Sequence, residues 1–168
     1  MKRDAIISDC GRFRYLLSRV WNDDLLPLLF VMLNPSTADA LVDDATIRRC
    51  VNFARAEGRF GGIEVVNLFA YRATDLADLR RAGWPVGDEN DAHIAAAAVR
   101  AGAVCVAWGA VKEADDRVQV VMPIIRGAGH APQCLHVTRS GYPGHPLYLA
   151  SAKRLTPLDA AIEAAMET

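Results

Sequence analysis

The most constraining feature of the chain is the run Leu28-Leu29-Phe30-Val31-Met32-Leu33, apolar at every position and closed abruptly by Asn34-Pro35. A strand with one face in water alternates apolar and polar residues. A run that is apolar throughout must bury both faces, as a central strand of a helix-covered parallel sheet does. Pro35 lacks an N–H and cannot extend a ladder, so Asn34 is expected at the carboxyl end of that strand.

The surrounding sequence fits such a sheet. Phe13 to Trp21 is aromatic and β-rich, and Asn22-Asp23-Asp24 is turn chemistry, so the chain is expected to begin with an antiparallel hairpin whose second arm is Pro27 to Leu33. Ile47, Cys50, Val51 and Ala54 recur at helical spacing, with Arg48, Arg49, Asn52 and Arg55 on the opposite face. Asp43 or Asp44 can cap this helix and Gly58 can end it. Gly61-Gly62 then leads into a second buried strand, Ile63 to Leu68, which makes residues 28 to 68 a βαβ unit. A short helix runs to Arg81 and stops before Gly83 and Pro85. An alanine-rich helix follows, capped by Asp88 and running to Gly102, and Ala103 to Trp108 is the third buried strand. Val111, Ala114, Val118 and Val121 keep helical spacing until Pro123 interrupts it. Gln133 to Val137 reads as a fourth strand, residues 138 to 149 as a loop rich in Gly and Pro, and Thr156-Pro157 as the cap and first position of a last helix. The expected architecture is a single α/β domain over residues 1–168, three layers deep, with a short, mostly parallel central sheet and an N-terminal antiparallel hairpin.

Composition narrows the function classes. Nineteen Lys and Arg against twenty Asp and Glu leave a net charge of -1, which provides no global field to gather a polyanion. The longest apolar stretch near the start, Leu25 to Leu33, contains Pro27 and is far shorter than the roughly 20 residues a bilayer requires. No signal-peptide pattern follows Met1, and the cysteines at 10, 50, 105 and 134 have neither metal-ligand nor redox-pair spacing. Reduced thiols in a cytoplasmic protein are the expectation. No Gly-x-Ser-x-Gly elbow and no phosphate-binding P-loop sequence occurs.

Ligands of open parallel sheets bind beyond the carboxyl ends of the strands. Asn34-Pro35-Ser36-Thr37, Asn67, Trp108-Gly109 and the loop around His145 all fall there. His145 lies between Gly144 and Pro146, which restrains its imidazole. Each landmark also has a plain structural role open to it: turn capping for the asparagines, core packing for Trp108. Arg72, Arg139, Lys153 and Arg154 form at most a thin basic rim, and Glu113, Asp115 and Asp116 read as a solvated helix face. Asp39, Asp43 and Asp44, beside Ser36 and Thr37, have the chemistry of a Mg²⁺ site, although helix capping accounts for at least one of them.

The order of the landmarks carries two resemblances. Leu33-Asn34-Pro35-Ser36-Thr37-Ala38-Asp39, Val66-Asn67-Leu68, Trp108-Gly109 and Gly144-His145-Pro146-Leu147-Tyr148 resemble a family of bacterial proteins defined only as a domain of unknown function. More distantly, the chain is similar to the uracil-DNA glycosylase superfamily, which has a Gly-x-(Asp/Asn)-Pro loop, an Asn, a Leu-Trp-Gly strand end and a His-Pro-Ser loop in the same order. That resemblance implies that Asn34 positions an attacking water, Asn67 reads the edge of a base and His145 stabilises charge on the departing base. Pro35, Ser36, Thr37, Trp108, Tyr148 and Arg139 would complete a binding site for a nucleobase, nucleotide or nucleic acid. Phe69, Tyr71, Tyr142 and Tyr148 are all available as a base-stacking platform. Met32 stands where the glycosylases have Gly, and Leu147 where they have Ser. The expected function is a glycosylase-like hydrolase that needs no cofactor; the alternatives are a non-catalytic binding module of the same fold and a metal-dependent phosphoesterase.

Overall fold

The computed structural model describes residues 1–167. Among them, the strands β1 (Lys2–Ile7), β2 (Arg14–Val20), β3 (Pro27–Met32), β4 (Gly62–Asn67), β5 (Ala103–Val106), β6 (Gln133–Cys134) and β7 (Thr156–Pro157) form one sheet. Its order is β1-β2-β4-β3-β5-β6-β7. The helices are α1 (Ala45–Glu57), α2 (Leu76–Arg81), α3 (Asn90–Arg100), α4 (Asp115–Gly127) and α5 (Leu158–Met166).

β3 is the inner strand that its apolar run requires. It pairs in parallel with β4 on one side and β5 on the other, and Leu28 to Val31 are fully buried. The side chains divide by parity. Leu28, Phe30 and Met32 pack with Ile63, Val65 and the inner face of α1 (Ile47, Cys50, Val51, Ala54). Leu29 and Val31 pack with Val66, Val104, Val106 and residues of α3 and α4 on the other face. The result is three layers, α1 against one side of the sheet and α3 and α4 against the other.

The sheet is more mixed than expected. β3, β4, β5 and β6 are parallel, whereas β2 and β7 run against them and β1 pairs antiparallel with β2, so both edges of the sheet are antiparallel pairs. The hairpin is also made from other strands. β2 does not pair with β3: β4 lies between them, and the hairpin partner of β2 is β1. β1 is largely exposed and its Lys-Arg-Asp sequence lacks an apolar face, the character of an edge strand. A run buried on both faces takes the central place, flanked by two other buried strands.

Four smaller expectations are corrected. Pro123 does not end the helix: α4 passes through it, because Pro123 and Gln119, whose carbonyl loses its partner, both lie on the exposed side. Asp88 is not the cap of α3, which starts at Asn90 after Glu89 with no side-chain cap; the Asn90 N–H donates to the Gly87 carbonyl instead. Thr156 and Pro157 do not begin α5. They pair with β6 as β7, at the sheet edge where a proline is tolerated. The fourth strand stops at Cys134, and Val137 makes only an isolated bridge to Pro143. Of the two candidate caps, Asp43 and Asp44, it is Asp44 that caps α1, its Oδ1 accepting from the Ile47 N–H over 2.9 Å, and Gly58 ends the helix as expected with φ +74°.

Candidate functional site

The carboxyl end of β3 opens on a polar cavity of about 300 Å³ between the Asn34 loop, the Ala73-Thr74 segment that follows β4, the start of α1 and the His145 loop. Two buried arginines of β2 shape it: Arg14 lines it, and Arg19 holds the segment that leads to α1. Ile6 of β1 faces Leu16 and Ile7 faces Arg14, so Tyr15 is an extra residue in β2. Such a bulge shifts the alternation by one, and Arg14 joins Leu17 and Arg19 on the α1 side. Arg14 Nη1 donates to the Ala38 carbonyl over 3.0 Å. Arg19 donates to the Asp39 carbonyl over 2.6 Å and to Asp43 over 2.8 Å. Together they clamp the segment that delivers Asp44 and the N-terminus of α1 to the cavity.

Arg14 is 2% exposed yet lines this cavity. Its Nε is buried without a partner. Burial pushes its pKa down to about 10, with the charge of Asp44 opposing that shift, so the guanidinium stays protonated at neutral pH.

Asn34 is fixed by its amide nitrogen, which donates to the Pro35 carbonyl over 3.0 Å and the Ala73 carbonyl over 2.9 Å. Its Oδ1 is left to accept from whatever enters the cavity. His145 lines the opposite wall. The Leu147 N–H donates to His145 Nδ1 over 3.2 Å, so that nitrogen carries a lone pair and the neutral ring bears its proton on Nε2. Burial holds the pKa of His145 below its ordinary value against a smaller upward pull from Asp44. The imidazole is therefore a neutral hydrogen-bond donor at neutral pH. The His145 loop is braced by Gly144 N to the His136 carbonyl (2.8 Å) and Gly109 N to the Pro143 carbonyl (2.9 Å). From α1, Arg49 donates to the carbonyls of Pro146 and Leu149. Arg49 is thus half-buried and structural, where helical periodicity places it on the solvent face.

Of the residues expected to catalyse or to bind substrate, Asn34, Ser36, His145 and Tyr148 line the one cavity. Tyr148 is 83% exposed, its ring centroid 5.7 Å from that of His145; among the four aromatic platform candidates it alone lines this cavity. Trp108 is buried in the core and lines an adjoining apolar cavity of about 550 Å³ that shares His145 and Tyr148. Pro35 is buried, and its carbonyl accepts from Asn34 and from the Ala73 N–H. Thr37 and Arg139 are exposed and line neither cavity.

Asn67 is the informative exception. It is 1% exposed, and neither its amide oxygen nor its amide nitrogen has a partner. It does not line the polar cavity; its register neighbour on the same face, Met32, does.

The acidic cluster does not assemble. Asp39 accepts from the N–H groups of Leu41 and Val42, which lowers its pKa, Asp43 pairs with Arg19 and Arg3, and Asp44 caps α1. Among the described residues no group of three His, Cys, Asp or Glu side chains is placed to hold a metal. Asp44, expected only as a metal ligand or a helix cap, and Arg14, which nothing in the sequence singles out, are the charged groups that line the cavity. The signal for Asp44 was its place as the α1 cap, since a helix start beside a strand end faces the same cavity.

Fold and cavity define an α/β protein with a polar site at the strand ends. The chain belongs to the family described as "Protein of unknown function (DUF1643)", which matches residues 14–147. No curated protein and no solved structure matches it. Among the described residues no helix is long and apolar enough to cross a membrane.

Proposed function

We propose that the polar cavity hydrolyses an N-glycosidic bond, releasing a nucleobase from a nucleotide or nucleic acid. The observation that carries this reading is the pairing, across one cavity, of an amide acceptor fixed at Asn34 with a neutral imidazole donor fixed at His145. Such hydrolysis needs a held water on one side of the sugar and preorganised donors where charge develops on the base. Asn34 Oδ1 accepts a hydrogen bond from the water. The water oxygen forms a bond to the anomeric carbon as the C–N bond breaks. The bonding pair leaves with the base, whose oxygen accepts from His145 Nε2–H. Asn34 cannot take the water's proton, but the Asp44 carboxylate lines the same cavity and can. Tyr148 offers an exposed ring on which a base can stack. The order of motifs shared with uracil-DNA glycosylases supports the same roles.

The second reading is a binding module without chemistry, and Asn67 favours it. A residue that reads a base edge must reach the ligand, and Met32, rather than the glycine of the glycosylases, lies beside it at the cavity. The two readings separate on incubation with nucleoside monophosphates and with single- and double-stranded oligonucleotides carrying deaminated or damaged bases. Hydrolysis yields free base and abasic sites. Saturable binding with no base released from any substrate leaves the binding module.

A further inference from the structure

We propose that Arg14 and the N-terminus of α1 form a subsite for a phosphomonoester, so that the cavity takes a free nucleoside monophosphate rather than a nucleic-acid strand. The inference rests on the nucleotide reading above for its nucleoside part; the anion site stands on its own observations.

The first observation is Arg14. A guanidinium that is 2% exposed normally has its donors paired, yet only Nη1 makes a protein hydrogen bond, to Ala38, and Nε is buried with no partner. Nε itself has no accessible surface, but Arg14 lines the cavity and its Nη2, which makes no protein hydrogen bond and is not among the fully buried atoms, is the donor open to a ligand there. The second is the start of α1, a helix of thirteen residues. Asp44 Oδ1 takes the N–H of Ile47 and the Asp44 carbonyl that of Arg48. The N–H groups of Ala45 and Thr46, both cavity residues, remain open at the positive end of the helix. Ser36 and Thr46 add hydroxyls. Donors converging from a guanidinium, a helix start and a loop suit a tetrahedral oxyanion, which presents three terminal oxygens, better than a planar carboxylate, which presents two. The net charge of -1 and the exposed position of Arg139, which lines neither cavity, argue against a surface that tracks a phosphodiester backbone.

Calorimetric titration of the whole protein with inorganic phosphate tests the subsite, whatever the chemistry of the cavity. Wild type is expected to bind saturably. Ala45→Pro removes one open N–H at a helix position where proline is accepted, and Asp44, at ψ 178°, is already extended as the residue before a proline must be. It should weaken binding about tenfold with the melting temperature kept. Arg14→Lys should weaken it as well, and Asp44→Asn, which removes the neighbouring negative charge and keeps the cap, should strengthen it. A nucleoside 5′-monophosphate should bind at least tenfold more tightly than the matching nucleoside. No saturable phosphate binding, or binding indifferent to both Ala45→Pro and Arg14→Lys, overturns the subsite. An oligonucleotide lacking terminal phosphates that binds as tightly as the monophosphate overturns the assignment to a free nucleotide. Phosphate binding that passes these tests without base release leaves the subsite standing and removes the hydrolase reading. Base release that is indifferent to phosphate does the reverse.

Discussion

The Leu147 N–H donates to Nδ1 of His145 over 3.2 Å within a 3₁₀ turn of the same loop. That one bond decides the chemistry of the ring, because it leaves Nε2 as the donor and makes protonation at Nδ1 break a backbone contact.

A pH dependence follows. The folded pKa of His145 lies below 6.5, with burial the main cause. The unfolded chain therefore binds more protons on the acid side, and the stability this residue contributes is full above about pH 6.5 and is lost as pH falls through the folded value. Thermal melts of wild type should drop on acidification more than those of His145→Gln. Equal acid sensitivity in the two proteins would remove His145 as the source.

Asp44 caps α1, and the proposed hydrolysis gives it a second role that one substitution separates from the first. Asn caps a helix about as well as Asp, so Asp44→Asn should change stability by less than about 0.5 kcal/mol while base release falls at least tenfold. Asp44→Ala should lose about 1 kcal/mol as well. Denaturant melts read one effect and turnover the other. Undiminished turnover in Asp44→Asn would leave Asp44 as a cap only.

Asn34→Asp should not speed the proposed hydrolysis, although a carboxylate is the better base. The Asn34 amide nitrogen donates to two carbonyls, and an aspartate would set one acceptor oxygen against both. A loss of about 2 to 4 kcal/mol is expected, measured by urea denaturation. A neutral or stabilising effect would show that the Asn34 loop is not held as described.

Pro123→Ala should stabilise the fold by about 1 kcal/mol or more, because it restores the hydrogen bond to the Gln119 carbonyl in the middle of α4. Chemical denaturation checks it, and no gain would mean that α4 has adapted its backbone to the proline.

What the sequence disclosed and what it hid have physical reasons. The central place of β3, the inner face of α1, a cap at Asp43 or Asp44 and the Gly58 stop were legible because each rests on local chemistry: a run apolar on both faces, a 3.6-residue period, an oxygen at the cap, a glycine at positive φ. The hairpin was assigned to the wrong strands because pairing is not local, and β4, forty residues downstream of β2, occupies the place beside it. Arg14 was hidden for a related reason. Its arrival on the α1 side depends on the bulge at Tyr15, which no periodicity announces. Asn34, Ser36, His145 and Tyr148 meet because strand ends of a parallel sheet converge, a rule of topology that sequence order alone can use. Thr37 and Arg139 stand apart because loop direction beyond the strand end follows from contacts such as Arg14 to Ala38.

The most direct test of the account is single-turnover base release by wild type and His145→Ala, with protein in excess over the best substrate of the panel at neutral pH. Free base is expected from wild type, with a rate at least about a hundredfold lower in the variant, the scale of losing one preorganised donor. Equal rates in the two proteins, or substrate that is bound and never cleaved, would contradict it.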